Sequence, residues 1–212
     1  MLIQILVDNP NSWIIPYAKE LVEKITIELG YEANFTTKHE NISKGNVLCL
    51  LSCEKIFSNL ELNKYNLVVH ESDLPQGKGW SPLTWQILEG INTIPITLFE
   101  AQEKVDSGRV YNITTIDLEG HELIEEIKQL QGLATQKLIL DFLKNIDHMK
   151  GIEQEGKESF YPKRTAKDSE LDPSKSIDEQ FDLLRVCDNE RYPAFFMKNG
   201  KKYLVKIYKE ED

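Results

Sequence analysis

The sequence predicts an α/β fold: a mostly parallel, twisted sheet with helices against it, and a small helix-and-hairpin extension at the C-terminal end. Three observations carry this. Short apolar runs recur through the first half with a helical stripe between the first two, the strand–helix–strand–loop–strand rhythm of a parallel sheet. A long segment of 3.6-residue periodicity closes that half. After Ile146 the texture becomes polar and turn-rich, which separates a core of residues 1–150 from an extension of residues 151–212.

The elements follow in order. "LIQILV" reads as a buried strand broken by Asp8, Asn9 and Pro10. Asn11 or Ser12 is placed to cap a helix, with Pro16 in its tolerated first turn. Trp13, Tyr17, Leu21, Ile25 and Leu29 then repeat every four residues, and Gly30 stops them. "YEANFTT", "VLCLLS" and "NLVVH" read as three further strands. "SPLTWQILEG" reads as a helix capped by Ser81, opened by Pro82 and stopped by Gly90. "PITLFEA" and "RVYNITTID" are strands around a loop, and "GHELIEEIKQLQGLATQKLILDFLKNI" is one or two helices. About thirty polar residues follow, then a helix in "SIDEQFDLLRVCD" and a hairpin in "PAFFMKNGKKYLVKIY", turned at Asn-Gly.

Composition bounds the function. The net charge of -10 repels polyanions and argues against a nucleic-acid partner, while leaving room for one anionic small molecule held by local cations. Three cysteines are too few and odd in number for a disulfide framework, and they fit a reducing cytoplasm. Cys49 and Cys53 read as packing thiols rather than metal ligands, because no partner pair follows at zinc spacing. The N-terminus lacks the basic region and cleavage site of a signal peptide, and no apolar run reaches the ~20 residues of a membrane helix. A cytoplasmic protein without a membrane partner is expected.

Among four histidines, His39, His121 and His148 fall in polar segments and read as solvated surface. His70 ends an apolar strand, where α/β folds place their ligands. Asp106, in "KVDSG", sits between two predicted strands. An imidazole with a carboxylate beside it is the minimum for acid–base work, since the carboxylate sets its tautomer and favours its charged form. No G-x-S-x-G elbow and no G-x-G-x-x-G fingerprint is present.

"HESDLPQGKGWSP" followed by "VDSG" resembles the formyltransferase family that uses 10-formyltetrahydrofolate. Its pattern is roughly N-x-H-x-S-L-L-P, a glycine loop and proline, then D-x-G about 36 residues after the histidine; here His70 to Asp106 is 36. The resemblance covers about residues 45–145 and implies a Rossmann-like formyltransferase core. It implies catalytic roles for His70 and Asp106, a 10-formyltetrahydrofolate co-substrate and no metal. It also implies donor contacts along Cys53, Lys55, Ile56 and Phe57, and along Glu103, Lys104 and Val105. The family's asparagine, two positions before the histidine, is Val68 here, and Ser72 or Asn66 are the candidates to replace its hydrogen bond.

The tail, with "KRT", "DSELD", "LLR" and "YPAFF", is similar to that of sugar N-formyltransferases, which implies a nucleotide-linked deoxy-amino sugar as acceptor. The opening "LVDNPNSW" is similar to the branch acting on UDP-4-amino-4,6-dideoxy-N-acetyl-altrosamine in pseudaminic acid biosynthesis. Lys163 and Arg164 suit a diphosphate, or are solvated loop charges; Lys78 has the same two readings. Ser72 and Trp80 are candidates for the acceptor pocket, Trp80 alternatively packing ahead of its helix. Phe195–Phe196 reads as core more than as a stacking surface. Another amine acceptor such as glycinamide ribonucleotide, a non-catalytic folate- or sugar-binding relative, and a homodimer all stay open.

Overall fold

A computed structural model describes residues 1–210. Strand β1 (Leu2–Leu6) leads into α1 (Ile15–Leu29). β2 (Glu32–Thr36), β3 (Gly45–Leu50) and β4 (Asn63–His70) follow, then the two-residue β5 (Lys78–Gly79) and α2 (Pro82–Leu88). β6 (Thr93–Glu100) and β7 (Val110–Asp117) precede the long α3 (Ile124–Lys144). The extension holds β8 (Phe160–Tyr161), α4 (Phe181–Arg185), β9 (Ala194–Lys198) and β10 (Lys201–Val205).

The central sheet has the order β2-β1-β3-β4-β6-β7. Its first four strands pair in parallel, whereas β6 runs antiparallel to β4 and β7 antiparallel to β6. The apolar runs of β1 and β3 are buried on both faces, as parallel strands covered on both sides must be. Ile3, Ile5, Val47 and Cys49 meet the α1 stripe of Ala18, Leu21 and Ile25, and the α3 residues Ile127, Ile139 and Phe142 join the same core. α1 and α3 approach closely because Gly132 faces the Tyr17 ring: a Cβ there would lie 2.5 Å from a ring carbon.

Several local expectations need correction. Neither Asn11 nor Ser12 caps α1: Ile14 stands at its N-cap without a side-chain bond, because Asn9 turns the chain first by accepting from the Asn11 amide at 2.9 Å. Ser81 caps α2 by position alone; its backbone is left-handed at φ 50° and its hydroxyl makes no capping bond. The long periodic segment is a single helix. The polar stretch after Ile146 is no free linker, since β8 pairs in parallel with β5 inside the core. The Asn199-Gly200 turn has positive φ at both residues, 50° and 73°, as a tight hairpin of this twist requires. Phe195 is buried, while Phe196 stacks on Tyr203.

Arg185 on α4 is fully buried and fastens the extension to the core. It donates to Asp182 at 2.7 Å and to Asn92 at 2.6 Å, and lies 3.6 Å from Glu122. A guanidinium taken out of water needs such partners.

Gly132→Val should lower stability by about 1–3 kcal/mol, because the ring of Tyr17 is itself packed and overfilling a close helix contact forces both helices to shift. Urea unfolding followed by circular dichroism measures it; an unchanged midpoint would contradict the contact.

Candidate active site

The carboxyl ends of the parallel strands open into a cleft of about 740 Å³, within the usual range of small-molecule sites. His70 and Asp106 both line it. His70 is the last residue of β4 and is 7% exposed. Asp106 lies not at a strand end but on the loop between β6 and β7, with a left-handed backbone at φ 52°. That conformation costs a non-glycine residue of order 1 kcal/mol and persists only where neighbours hold it.

One short segment ties the two together. His70 Nε2 lies 2.9 Å from the carbonyl oxygen of Gly77. A carbonyl only accepts, so Nε2 carries the proton and Nδ1 is the nitrogen left for exchange. Two residues on, the Gly79 amide donates to a carboxylate oxygen of Asp106 at 2.9 Å. The backbone of Gly77–Gly79 therefore bonds both titratable groups. Glycine is required here: φ is 67° at Gly77 and 97° at Gly79, and a Cβ at Gly79 would fall 2.5 Å from the carbonyl oxygen of Tyr161.

Of the expected donor-side residues, Cys53, Lys55, Ile56, Phe57 and Val105 line the cleft. Asp8 shapes that wall by accepting the backbone amides of Glu54 and Lys55, each at 2.8 Å. It also pairs with His39 at 3.2 Å, so His39 is not simply a solvated surface residue. Glu103 and Lys104 fall outside the lining; the Lys104 amine turns away to Glu158 at 2.9 Å. Trp80 is in the wall. Val68 also lines it, presenting methyl groups.

The other acceptor-side candidates lie as follows. Lys78 is 1% exposed and its amine is paired with Glu158 at 2.7 Å, so it holds the fold rather than a ligand. Ser72 is 2% exposed and outside the cleft lining. Asn66 donates its amide to Leu60 at 2.9 Å instead of reaching the cleft, so neither stands in for an amide at position 68. Lys163 lies 4.2 Å over the ring of Trp80 and is itself outside the cleft lining. Arg164 donates to the Asp168 carbonyl at 3.0 Å, within its own turn.

Sequence reasoning missed Glu71, Gln102, Gln131 and Arg191, which also line the cleft. Glu71 accepts from Gln131, and burial pushes its carboxyl above the usual range although the neighbouring His70 opposes this. Its position next to His70 was the only signal available. Arg191 arrives from the extension and donates to the Asn11 carbonyl, a contact across 180 positions that no local pattern announces.

No family model matches the chain. It is 29% identical over 161 residues to the methionyl-tRNA formyltransferase of Mycoplasmopsis pulmonis, covering 74% of this chain and 54% of that protein. The chain spans about half the length of the curated relatives it matches. Among solved structures, a 4-N formyltransferase from Francisella tularensis superposes with a TM-score of 0.73 at 16% identity, over 100% of this chain and 98% of that one. HypX from Aquifex aeolicus, in complex with tetrahydrofolic acid, superposes with a TM-score of 0.77 at 17% identity, over 97% of this chain and 37% of that one. The fold is that of the formyltransferases.

Burial and the nearby Asp8 charge push the Cys53 thiol up to about 12, far from a reactive thiolate. At pH 8 the native chain should therefore react with Ellman's reagent far more slowly than free cysteine, reaching its three-thiol total only in denaturant. A fast single-thiol burst in the native state would contradict this.

Proposed function

We propose that this chain, a relative of the folate-dependent formyltransferases in sequence and fold, transfers a formyl group from 10-formyltetrahydrofolate to the amine of a nucleotide-linked deoxy-amino sugar. The observation that carries the proposal is the convergence of His70 and Asp106 in one cleft, bonded to the same three-residue segment.

The cleft suits a flat, amphipathic donor. Ile56, Phe57, Val68, Phe99 and Val105 supply apolar wall, and Lys55 supplies a cation at its rim. The donor brings the formyl group. When an amine attacks the formyl carbon, negative charge develops on the formyl oxygen, and a proton passing through His70 Nδ1 can be donated to that oxygen. Asp106 accepts the proton the amine sheds, directly or through a water, for return to the leaving nitrogen. Gly79 holds one Asp106 oxygen, which leaves the other for this exchange. With valine at 68, Gln102, which lines the same cleft, is an amide that can donate to the formyl oxygen.

The acceptor class rests on the tail motifs and on the extension's reach into the cleft. Arg191 and Tyr192 of the extension line the cleft, as does Trp13. A guanidinium and aromatic rings in the lining of one cleft suit a nucleoside diphosphate. The acidic surface, with a net charge of -10, disfavours a transfer RNA acceptor. Reaction in the cytoplasm, where reduced folates are available, goes with this reading.

Incubation with 10-formyltetrahydrofolate and a panel of UDP- and dTDP-linked amino sugars should release tetrahydrofolate. His70→Ala and Asp106→Ala should each lower kcat by about 10²–10⁴-fold, with donor affinity changed little. Turnover on glycinamide ribonucleotide alone would replace the sugar acceptor. Near-normal turnover in either variant would refute the roles assigned to these residues.

A further inference from the structure

Residues 154–161 cross the outside of the site and bond to both of its loops. The Gln154 amide donates to the carbonyl oxygens of Asp106 at 3.1 Å and Gly108 at 2.8 Å, bracketing the left-handed Asp106 backbone. One oxygen of Glu158 accepts from Lys78 at 2.7 Å, on the His70 side, and from Lys104 at 2.9 Å, two residues before Asp106. The Ser159 hydroxyl accepts the Gly77 amide at 2.8 Å, and its carbonyl accepts the Lys78 amide at 2.9 Å. The Tyr161 carbonyl accepts the Trp80 amide at 3.2 Å. Every residue from Gly77 to Trp80 except Gly79 thus bonds to this segment, and Gly79 bonds to Asp106 itself.

We infer that Gln154 and Glu158 are positioning residues for His70 and Asp106, and that the segment carrying them is a clip that holds the two loops of the site in register. The inference rests on the formyl-transfer reading for its activity readout only. The physical case is that Gly77–Gly79 cannot hold itself. Its backbone is in conformations of positive φ at both glycines, glycine samples many alternatives, and its bonds to His70 and Asp106 fix the groups only if it is itself fixed. The Asp106 loop has the same problem, with an unfavourable backbone at its central residue. Glu158 joins the two loops through one oxygen, and the Lys78 and Lys104 amines hold its carboxyl below the usual range. Removing either contact leaves the cleft walls in place but lets the imidazole and carboxylate drift. A displacement of about 1 Å costs on the order of 10²-fold in rate.

The test uses the full chain with Gln154→Ala, Glu158→Gln and, as a comparison just outside the segment, Glu153→Ala. Glu153 is exposed and bonds only to the exposed side chain of Arg109. Kinetics are measured with 10-formyltetrahydrofolate and a UDP-linked 4-amino-4,6-dideoxy sugar, and the His70 ring is followed by NMR, assigned by its loss in His70→Asn. For Gln154→Ala and Glu158→Gln, kcat should fall at least tenfold with donor KM within twofold, measured at a temperature where circular dichroism shows each variant fully folded; the thermal midpoint of Gln154→Ala should stay within 3 °C, while that of Glu158→Gln falls because Lys78 loses its charge partner. The His70 ring signal should shift or broaden while those of His121 and His148 stay put. Glu153→Ala should match the unaltered chain. An unmoved His70 signal, a kcat within twofold, or a kcat loss accounted for by the unfolded fraction would overturn the inference. An unaltered chain that transfers no formyl group would refute the function instead, and the His70 signal would still decide this point.

Discussion

The bonds made by Gly77–Gly79 are the constraint on which the site depends. β4 delivers His70 and the loop after β6 delivers Asp106, and these elements run in opposite directions through the sheet. Nothing in the sheet pairing itself sets one side chain against the other. That is done by a carbonyl and an amide two residues apart, one facing each group. Their spacing is fixed by covalent geometry, so the segment works as a short ruler between an imidazole and a carboxylate. Two consequences follow. The histidine tautomer is set by the Gly77 carbonyl and not by the aspartate. The Gly79 position must also stay without a Cβ, because the backbone of Tyr161 lies against it.

Buried charge explains why the extension cannot be an independent appendage. Lys78 is 1% exposed inside the core half of the chain, and its carboxylate partner, Glu158, comes from the extension. Arg185 is fully buried on the extension, and among its partners Asn92 and Glu122 come from the core. An ammonium or guanidinium left without its partners in such a place would cost several kcal/mol. Each half therefore satisfies an ion belonging to the other. The same reciprocity brings Arg191 to the cleft, so the extension contributes to its lining.

The sequence made legible what depends on local chemistry. Alternating apolar runs and helical stripes located the strands of the sheet and its three long or medium helices within a few residues, and the turn residues of the hairpin specified its type. His70 and Asp106 were legible through residue type and spacing, and their meeting in one cleft through the resemblance that spacing carries. What could not be read were contacts between distant positions. Lys78 looks in sequence like any exposed loop lysine, and only Glu158, eighty positions away, shows that it is structural. Asn66 and Ser72 flank His70 closely in sequence. Their strand and turn geometry points both side chains away from the cleft, to the Leu60 carbonyl in one case and into the protein in the other. His39 needed Asp8 to be seen, and Asp8 needed the amides of Glu54 and Lys55.

The polar stretch after Ile146 shows why composition misleads on this point. Residues 147–176 lack the apolar periodicity that marks a packed element, because almost none of their stabilisation comes from burying apolar surface. They are ordered instead by hydrogen bonds and ion pairs to backbone and side chains of the core: the bridge of Ile152 to Val110, the amide of Gln154, the carboxylate of Glu158 and the pairing of β8 with β5. A segment held this way is polar and turn-rich for the same reason that it can bond so many loop carbonyls and amides. A loop of this length inside a compact chain points either to disorder or to function, and its contacts with the two loops of the cleft place this one with the second.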